Sequence, residues 1–245
     1  MKDMKRALCF AGRCVKEIVR DPLTLFFGLA FPLVLLLLMS LIQANIPVAL
    51  FEINHLAPGV AVFGQSFITL FAALLISRDR STALLARLFS TPLTASGFLL
   101  GYLLPLLPMA LAQGAIVYTA SLLLGLSLNV NVLLALLAGL APALLYIALG
   151  LLFGTILSDK QVGGICGALL TNLSAWLSGV WFDVSLLGGG FGAVCRVLPF
   201  YHAVEGCRAA LNGGAVWGHL AIVLAWAVGI LILAVWCFRR KMKRG

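Results

Sequence analysis

Between Arg87 and Asp159 the chain contains no Asp, Glu, Lys, Arg or His. Charge is scarce throughout, at 10% of the 245 residues against 62% hydrophobic, where a water-soluble domain carries about 25% charged residues. A soluble fold is excluded. Also missing is the alternating pattern of roughly ten-residue segments that marks a membrane β-barrel. Runs such as LTLFFGLAFPLVLLLLMSLI stay apolar without alternation. Only helices and closed barrels satisfy the backbone in lipid, so the expected fold is an all-α integral membrane protein, with 1–245 as a single transmembrane domain.

Chemical groups are lacking as well. Ion-coupled transporters keep an ionisable residue at membrane depth, yet only His219 falls within an apolar run, near its end. There is no HExxH, GxSxG or CxxC, and a hydrolase or metalloenzyme needs such groupings. No catalytic or metal site is assigned, and His55, His202 and His219 read as interfacial polar residues. No lysine is followed by Ser or Thr, so the phosphate-binding loop is missing too. The chain is not read as an enzyme. If the chain moves something uphill the energy comes from elsewhere, and an ATP-driven machine would have to recruit its ATPase, the part that binds ATP and Mg²⁺, as a separate subunit; this chain needs no cofactor of its own.

What is present is six apolar runs, at 22–43, 58–77, 98–125, 131–157, 161–182 and 216–238. Each meets the ~20 residues a crossing needs. The net charge of +9 reflects sidedness rather than nucleic acid. Six cations precede the first run, Arg78, Arg80 and Arg87 follow the second, Lys160 follows the fourth, and five close the chain; only Arg196 and Arg208 fall on the other side. The positive-inside rule then places both termini in the cytoplasm of a multi-pass protein of the cell membrane.

The first twenty residues repeat Leu8, Ala11, Val15 and Ile18 at helical spacing, with most cations elsewhere. That pattern suits a helix lying on anionic lipid, although Phe10 breaks the segregation. Asp21-Pro22 supplies an N-cap and a first-turn proline for the first span.

One cytoplasmic stretch stands out: ISRDRSTALLARLFSTPL, residues 76–93. Within it Leu84, Leu85, Leu88 and Phe89 share a helical stripe, and Thr91-Pro92 ends the helix. Such a helix either lies flat on the membrane or enters a groove on a partner. The order VRDPLTLFF, ISRDRSTALLARLFSTPLTASGFLLGY, LSGVWFDV and LPFYHAVEGCRAAL resembles the membrane subunit of type-2 ABC exporters over essentially the whole chain. The resemblance implies a permease that pairs with a second copy or sister chain and works with a separate ABC ATPase subunit. It implies that 78–92 is the coupling helix seated in that ATPase, with Arg80, Leu84, Arg87, Leu88 and Phe89 as its contacts. Many members carry Glu-Arg-Gly-Thr followed by Leu-Glu here, whereas this chain has Asp79-Arg80-Ser81-Thr82-Ala83-Leu84, so a glutamate contact does not transfer.

In the fifth run Gly167, Thr171, Ser174 and Ser178 form a small, polar stripe, and Gly163 with Gly167 makes a Gly-x-x-x-Gly pair. Two readings stand: close helix packing, or, by the resemblance, a pathway wall shared with Gln65, Thr69 and Asn172. Gly188-Gly189-Gly190 then opens two short pieces, 191–198 and 201–211, too short to cross. They form an outer hairpin, re-entrant or on the surface, carrying His202, Glu205 and Arg208, with the last two spaced for an ion pair. Cys195 and Cys207 lie on the oxidising side, and their bridging is open. Short outer loops favour a hydrophobic drug, a lipid or an amphiphile as cargo, as in drug efflux, with polysaccharide also open. The competing class is a channel or membrane scaffold driven by no ATPase.

Overall fold

The computed structural model describes residues 2–46, 49–82, 94–184 and 188–242. Every regular element among them is helical. Helix α1 (Lys2–Arg20) ends at Asp21, whose carboxylate accepts the N–H groups of Leu23 at 3.1 Å and Thr24 at 3.4 Å. Pro22 takes the first-turn position, where its missing N–H costs nothing, and α2 (Pro22–Asn45) begins. Inside α2 a wide π turn spans Phe26–Ala30. Pro32 follows, and its ring crowds the carbonyl four residues back, at Gly28; the widened turn relieves that clash.

Next come α3 (Ile53–Ser81) and α4 (Ala95–Leu123). The hydroxyl of Thr94 caps α4 by accepting the Gly97 N–H at 3.2 Å. Helix α5 (Val130–Ile156) is capped by Asn129 through the Val132 N–H at 3.3 Å. A capping box of Ser158 and Gln161 starts the helical run α6 (159–178), whose middle, Gly163–Leu170, is again π-helical. The chain ends with α7 (Gly189–Val197), α8 (Pro199–Asn212) and α9 (Trp217–Met242). Among the described residues five helices, α2, α3, α4, α5 and α9, are long and apolar enough to cross a membrane. The sixth expected span corresponds to α6, which is richer in glycine and polar residues and stops at Ser178, where Gly179 turns the chain with φ of 73°.

Helix α3 is the centre of the bundle. Of its most apolar stretch 83% is buried, against 17% for both α2 and α9, so the latter two form the rim. One stripe of α3 lies along α5. Gln65 Nε2 donates to the Gly139 carbonyl at 3.1 Å, and Thr69 Oγ1 to the Tyr146 carbonyl at 2.8 Å. Farther along, the helices approach so closely that a Cβ on Gly150 would sit 2.6 Å from the Thr69 carbonyl oxygen, and one on Gly154 2.7 Å from that of Ala73. Gly150-x-x-x-Gly154 is therefore the small-residue contact of the fold. The pair singled out by sequence, Gly163 and Gly167, is not: a Cβ on Gly163 meets open space, and one on Gly167 meets only the side chain of Leu70.

Helix α1 departs from its expected orientation. It packs along α4, burying Ala7, Phe10, Ala11, Cys14 and Ile18 and leaving Leu8 and Val15 exposed. Phe10 is not a break in the pattern but its anchor, edge-on to Phe98 at 5.7 Å and to Tyr102 at 4.9 Å. The exposed residues Met4, Leu8, Val15 and Val19 form a second apolar stripe beside the buried one. At the far end, α8 is wedged between α3, α5 and α9 rather than resting on the surface, with His202 and Arg208 buried.

Candidate functional site

The last turn of α3 reads Ser77-Arg78-Asp79-Arg80. Four successive residues circle a helix of about 3.6 residues per turn, so they point in all directions, and each meets a different element. Ser77 Oγ donates to Asp159 Oδ1 at 3.1 Å, at the start of α6. Arg78 Nη1 reaches Asp21 Oδ2 at 3.5 Å, at the cap of α2. Asp79 receives both guanidinium nitrogens of Arg13 from α1, each at 2.6 Å, and the Tyr102 hydroxyl from α4 at 2.8 Å. Arg80 Nη1 donates to the carbonyls of Gly154 at 2.7 Å, Thr155 at 2.6 Å and Leu157 at 3.0 Å, at the end of α5.

Asp79 is the keystone of this cluster. It is 3% exposed, and a carboxylate taken out of water is tolerable only when paired and hydrogen-bonded. The two-pronged pairing with Arg13 is the strong, planar form of that bond. In return, the hydrogen bond to Asp79 pushes the Arg13 pKa above its ordinary value. Arg13 also pairs with Glu17 at 2.9 Å; burial raises the Glu17 pKa more than Arg13 lowers it. Burial above all, helped by the nearby charges of Asp79 and Glu17 and opposed by Arg13, pushes the Cys14 thiol, on the packed face of α1, up to about 12. Arg80 satisfies carbonyls that a helix C-terminus leaves without partners, placing its charge at the negative end of the α5 dipole.

Chain direction gives the cluster its meaning. The chain leaves this turn at Thr82 and returns at Thr94, the cap of α4. Of the proposed coupling residues, Leu84, Arg87, Leu88 and Phe89 lie outside the described residues. Arg80 is described, and its guanidinium is turned back onto α5 rather than outward. Sequence reasoning noted Asp79 only as a departure from the family's loop and gave it no role, although it is the only carboxylate between Glu52 and Asp159. That isolation was the available signal.

The residues assigned to a pathway do not share one face. Gln65 and Thr69 are buried in the α3–α5 seam. Thr171, Ser174 and Ser178 are buried too, each donating to a carbonyl of its own helical run, those of Cys166, Thr171 and Ala175. Asn172 alone of the six is exposed.

At the opposite end Arg208 Nη1 pairs with Glu205 Oε1 at 2.8 Å. Its Nε donates to the His55 carbonyl and its Nη2 to the Gly179 carbonyl, each at 3.2 Å, tying α8 to α3 and to the end of α6. His202 places Nε2 2.8 Å from the Arg196 carbonyl and Nδ1 2.9 Å from Nδ1 of His219. Cys195 and Cys207 are both buried and unbridged, and no group of three metal-ligating side chains occurs among the described residues.

The described residues thus form an all-helical bundle with a polar hub at the root of one loop, linked by side chains to five helices. No curated protein matches the chain. A family match does exist, to the ABC-2 type transporter family over residues 8–212, which takes in the α1 anchor, the hub and α8. The chain belongs to the ABC-2 type transporter family, as a membrane-spanning permease subunit.

Proposed function

We propose that this permease is the membrane half of an ATP-driven exporter, worked by a separate ABC ATPase subunit that docks on residues 78–92. The observation that carries this reading is the Ser77–Arg80 turn, where four consecutive side chains bond to five other parts of the bundle. A push on the loop beyond Thr82 reaches α1, α2, α4, α5 and α6 through that one turn. The chain itself has no phosphate-binding lysine motif, which agrees with a recruited ATPase. Arg87 and the apolar stripe of Leu84, Leu88 and Phe89 make the contact, while Arg80 passes the motion to α5.

In this reading both termini and the hub are cytoplasmic, α6 is the sixth crossing, and two permeases enclose the pathway in the cell membrane. Gln65, Thr69, Thr171, Ser174 and Ser178 are enclosed within one chain, so cargo between two chains meets the α6 face at Asn172 first. Short outer connections favour a hydrophobic drug, a lipid or an amphiphile. ATP binding draws the ATPases together, the loops follow, and the bundles tilt to release cargo outward.

The test is purification of the tagged chain in mild detergent with identification of its companions. An ATPase bearing a phosphate-binding loop is expected, and Arg87→Glu is expected to release it or uncouple its hydrolysis. A chain that purifies alone, with no nucleotide-hydrolysing companion, would sink the exporter reading in favour of a channel or scaffold.

A further inference from the structure

An open groove of about 960 Å³ runs between α1 and the start of α2, floored by Arg78 of the hub. Four cations line it, Arg13, Lys16, Arg20 and Arg78, against two carboxylates, Glu17 and Asp21. Both carboxylates have partners within the chain. Glu17 pairs with Arg13 at 2.9 Å. Asp21 caps α2, and although burial works against its charge, the hydrogen bonds from Thr24 and Leu23 outweigh it and hold its carboxyl below the usual range. Arg13 is itself held by Asp79. Lys16 and Arg20, one helical turn apart, are exposed and form no ion pair among the described residues. Arg78 is only loosely held, 3.5 Å from Asp21. The groove thus presents three available cations converging on one volume.

Its surroundings are apolar. Leu8 and Pro22 line it, and Leu23 and Phe26 stand exposed just beyond on α2. At Gly12, also in the lining, a Cβ would meet nothing within 4 Å; the missing side chain keeps the groove open without serving any packing contact. A basic recess edged by apolar surface at the entry of a membrane span matches a molecule with an anionic phosphate at one end and hydrocarbon at the other.

We propose that this groove binds the headgroup of one anionic phospholipid per chain, its phosphate between Lys16, Arg20 and Arg78 and its acyl chains along Leu8, Leu23 and Phe26. Because Arg78 belongs to the hub, the lipid also braces the turn that carries the coupling loop. That consequence, unlike the binding itself, rests on the exporter reading.

Native mass spectrometry of the full chain in detergent, titrated with phosphatidylglycerol or phosphatidylcholine, tests the binding without any ATPase. Phosphatidylglycerol is expected to add one equivalent per chain, and phosphatidylcholine to bind much more weakly. The double variant Lys16→Ala/Arg20→Ala should weaken phosphatidylglycerol on the order of 30-fold, from two juxtamembrane cations. Gly12→Phe should weaken it comparably by filling the groove while leaving every charge in place, with an unchanged melting temperature showing that the fold survives. Equal retention of both lipids, or equal retention by wild type and both variants, overturns the site. Displacement of the lipid by millimolar inorganic phosphate would mark a soluble-anion site and overturn the lipid assignment.

Discussion

The two ends of the bundle are each held by a buried ion, and the ions have opposite sign. At the hub the buried group is an acid, Asp79, 4% exposed at its side chain, facing an Arg13 that is 37% exposed. At the far end it is a base, Arg208, 8% exposed, facing a Glu205 that is 30% exposed. The difference lies in the remaining partners. Among the described residues Asp79 is held by side chains, those of Arg13 and Tyr102, whereas Arg208 also rests on two backbone carbonyls. A guanidinium has five donors in a fixed fork and finds carbonyls wherever helices end; a carboxylate needs donors brought to it. The far end is thus fixed by backbone as well as side chains, while the described partners of Asp79 are side chains from two helices, α1 and α4.

That contrast is broken most strongly at Arg13. Arg13→Ala leaves Asp79 buried with the Tyr102 hydroxyl as its one remaining side-chain partner among the described residues, and a stability loss of about 3 kcal/mol is expected, read by thermal unfolding in detergent. Protease should also cut α1 sooner in this variant, since the same change removes its tie to α3. Tyr102→Phe removes one hydrogen bond to a charged group and should cost about 2 kcal/mol, with Arg13 still in place. Glu205→Gln is the matching change at the far end. Because Arg208 keeps both carbonyls and Glu205 is partly solvated, a loss of about 1 kcal/mol is expected. A Glu205→Gln loss equal to that of Arg13→Ala would show that the ends are equally dependent on their ion pairs.

A fourth change sharpens the picture without touching charge. Gly163→Ala, which meets open space, should gain a few tenths of a kcal/mol or leave stability unchanged. Gly154→Ala, pressed on the Ala73 backbone, should instead lose about 1 to 3 kcal/mol, as other overpacked sites do.

Much of the fold was legible because lipid imposes it. Twenty-residue apolar runs become helices, Asp21-Pro22 starts one, and Pro199 separates two short ones, all through local physics. The hub was not legible, because Arg13 and Asp79 are 66 residues apart and periodicity reports only which face a residue occupies, not what it meets. Phe10 looked misplaced for the same reason: its stripe was measured against lipid, while its partner is the aromatic pair Phe98 and Tyr102. Gly150/Gly154 and Gly163/Gly167 share the same Gly-x-x-x-Gly spacing in sequence, and only the course of α3 tells which is pressed against it. Within the candidate site, Arg80 was found by its charge but given an outward role, since sequence does not reveal that α5 ends beside it.

The central claim is that the Ser77–Arg80 turn transmits ATPase motion into the bundle. The most direct measurement places a single cysteine at exposed Asn172 in a cysteine-depleted chain, purifies it with its ATPase, and follows the labelling rate with and without ATP. With the native turn, ATP should change that rate. With Asp79→Asn the ATPase should remain bound and hydrolyse ATP while the change at position 172 disappears. If Asp79→Asn responds to ATP as strongly as the native chain does, motion reaches α6 by another route and the hub is only structural.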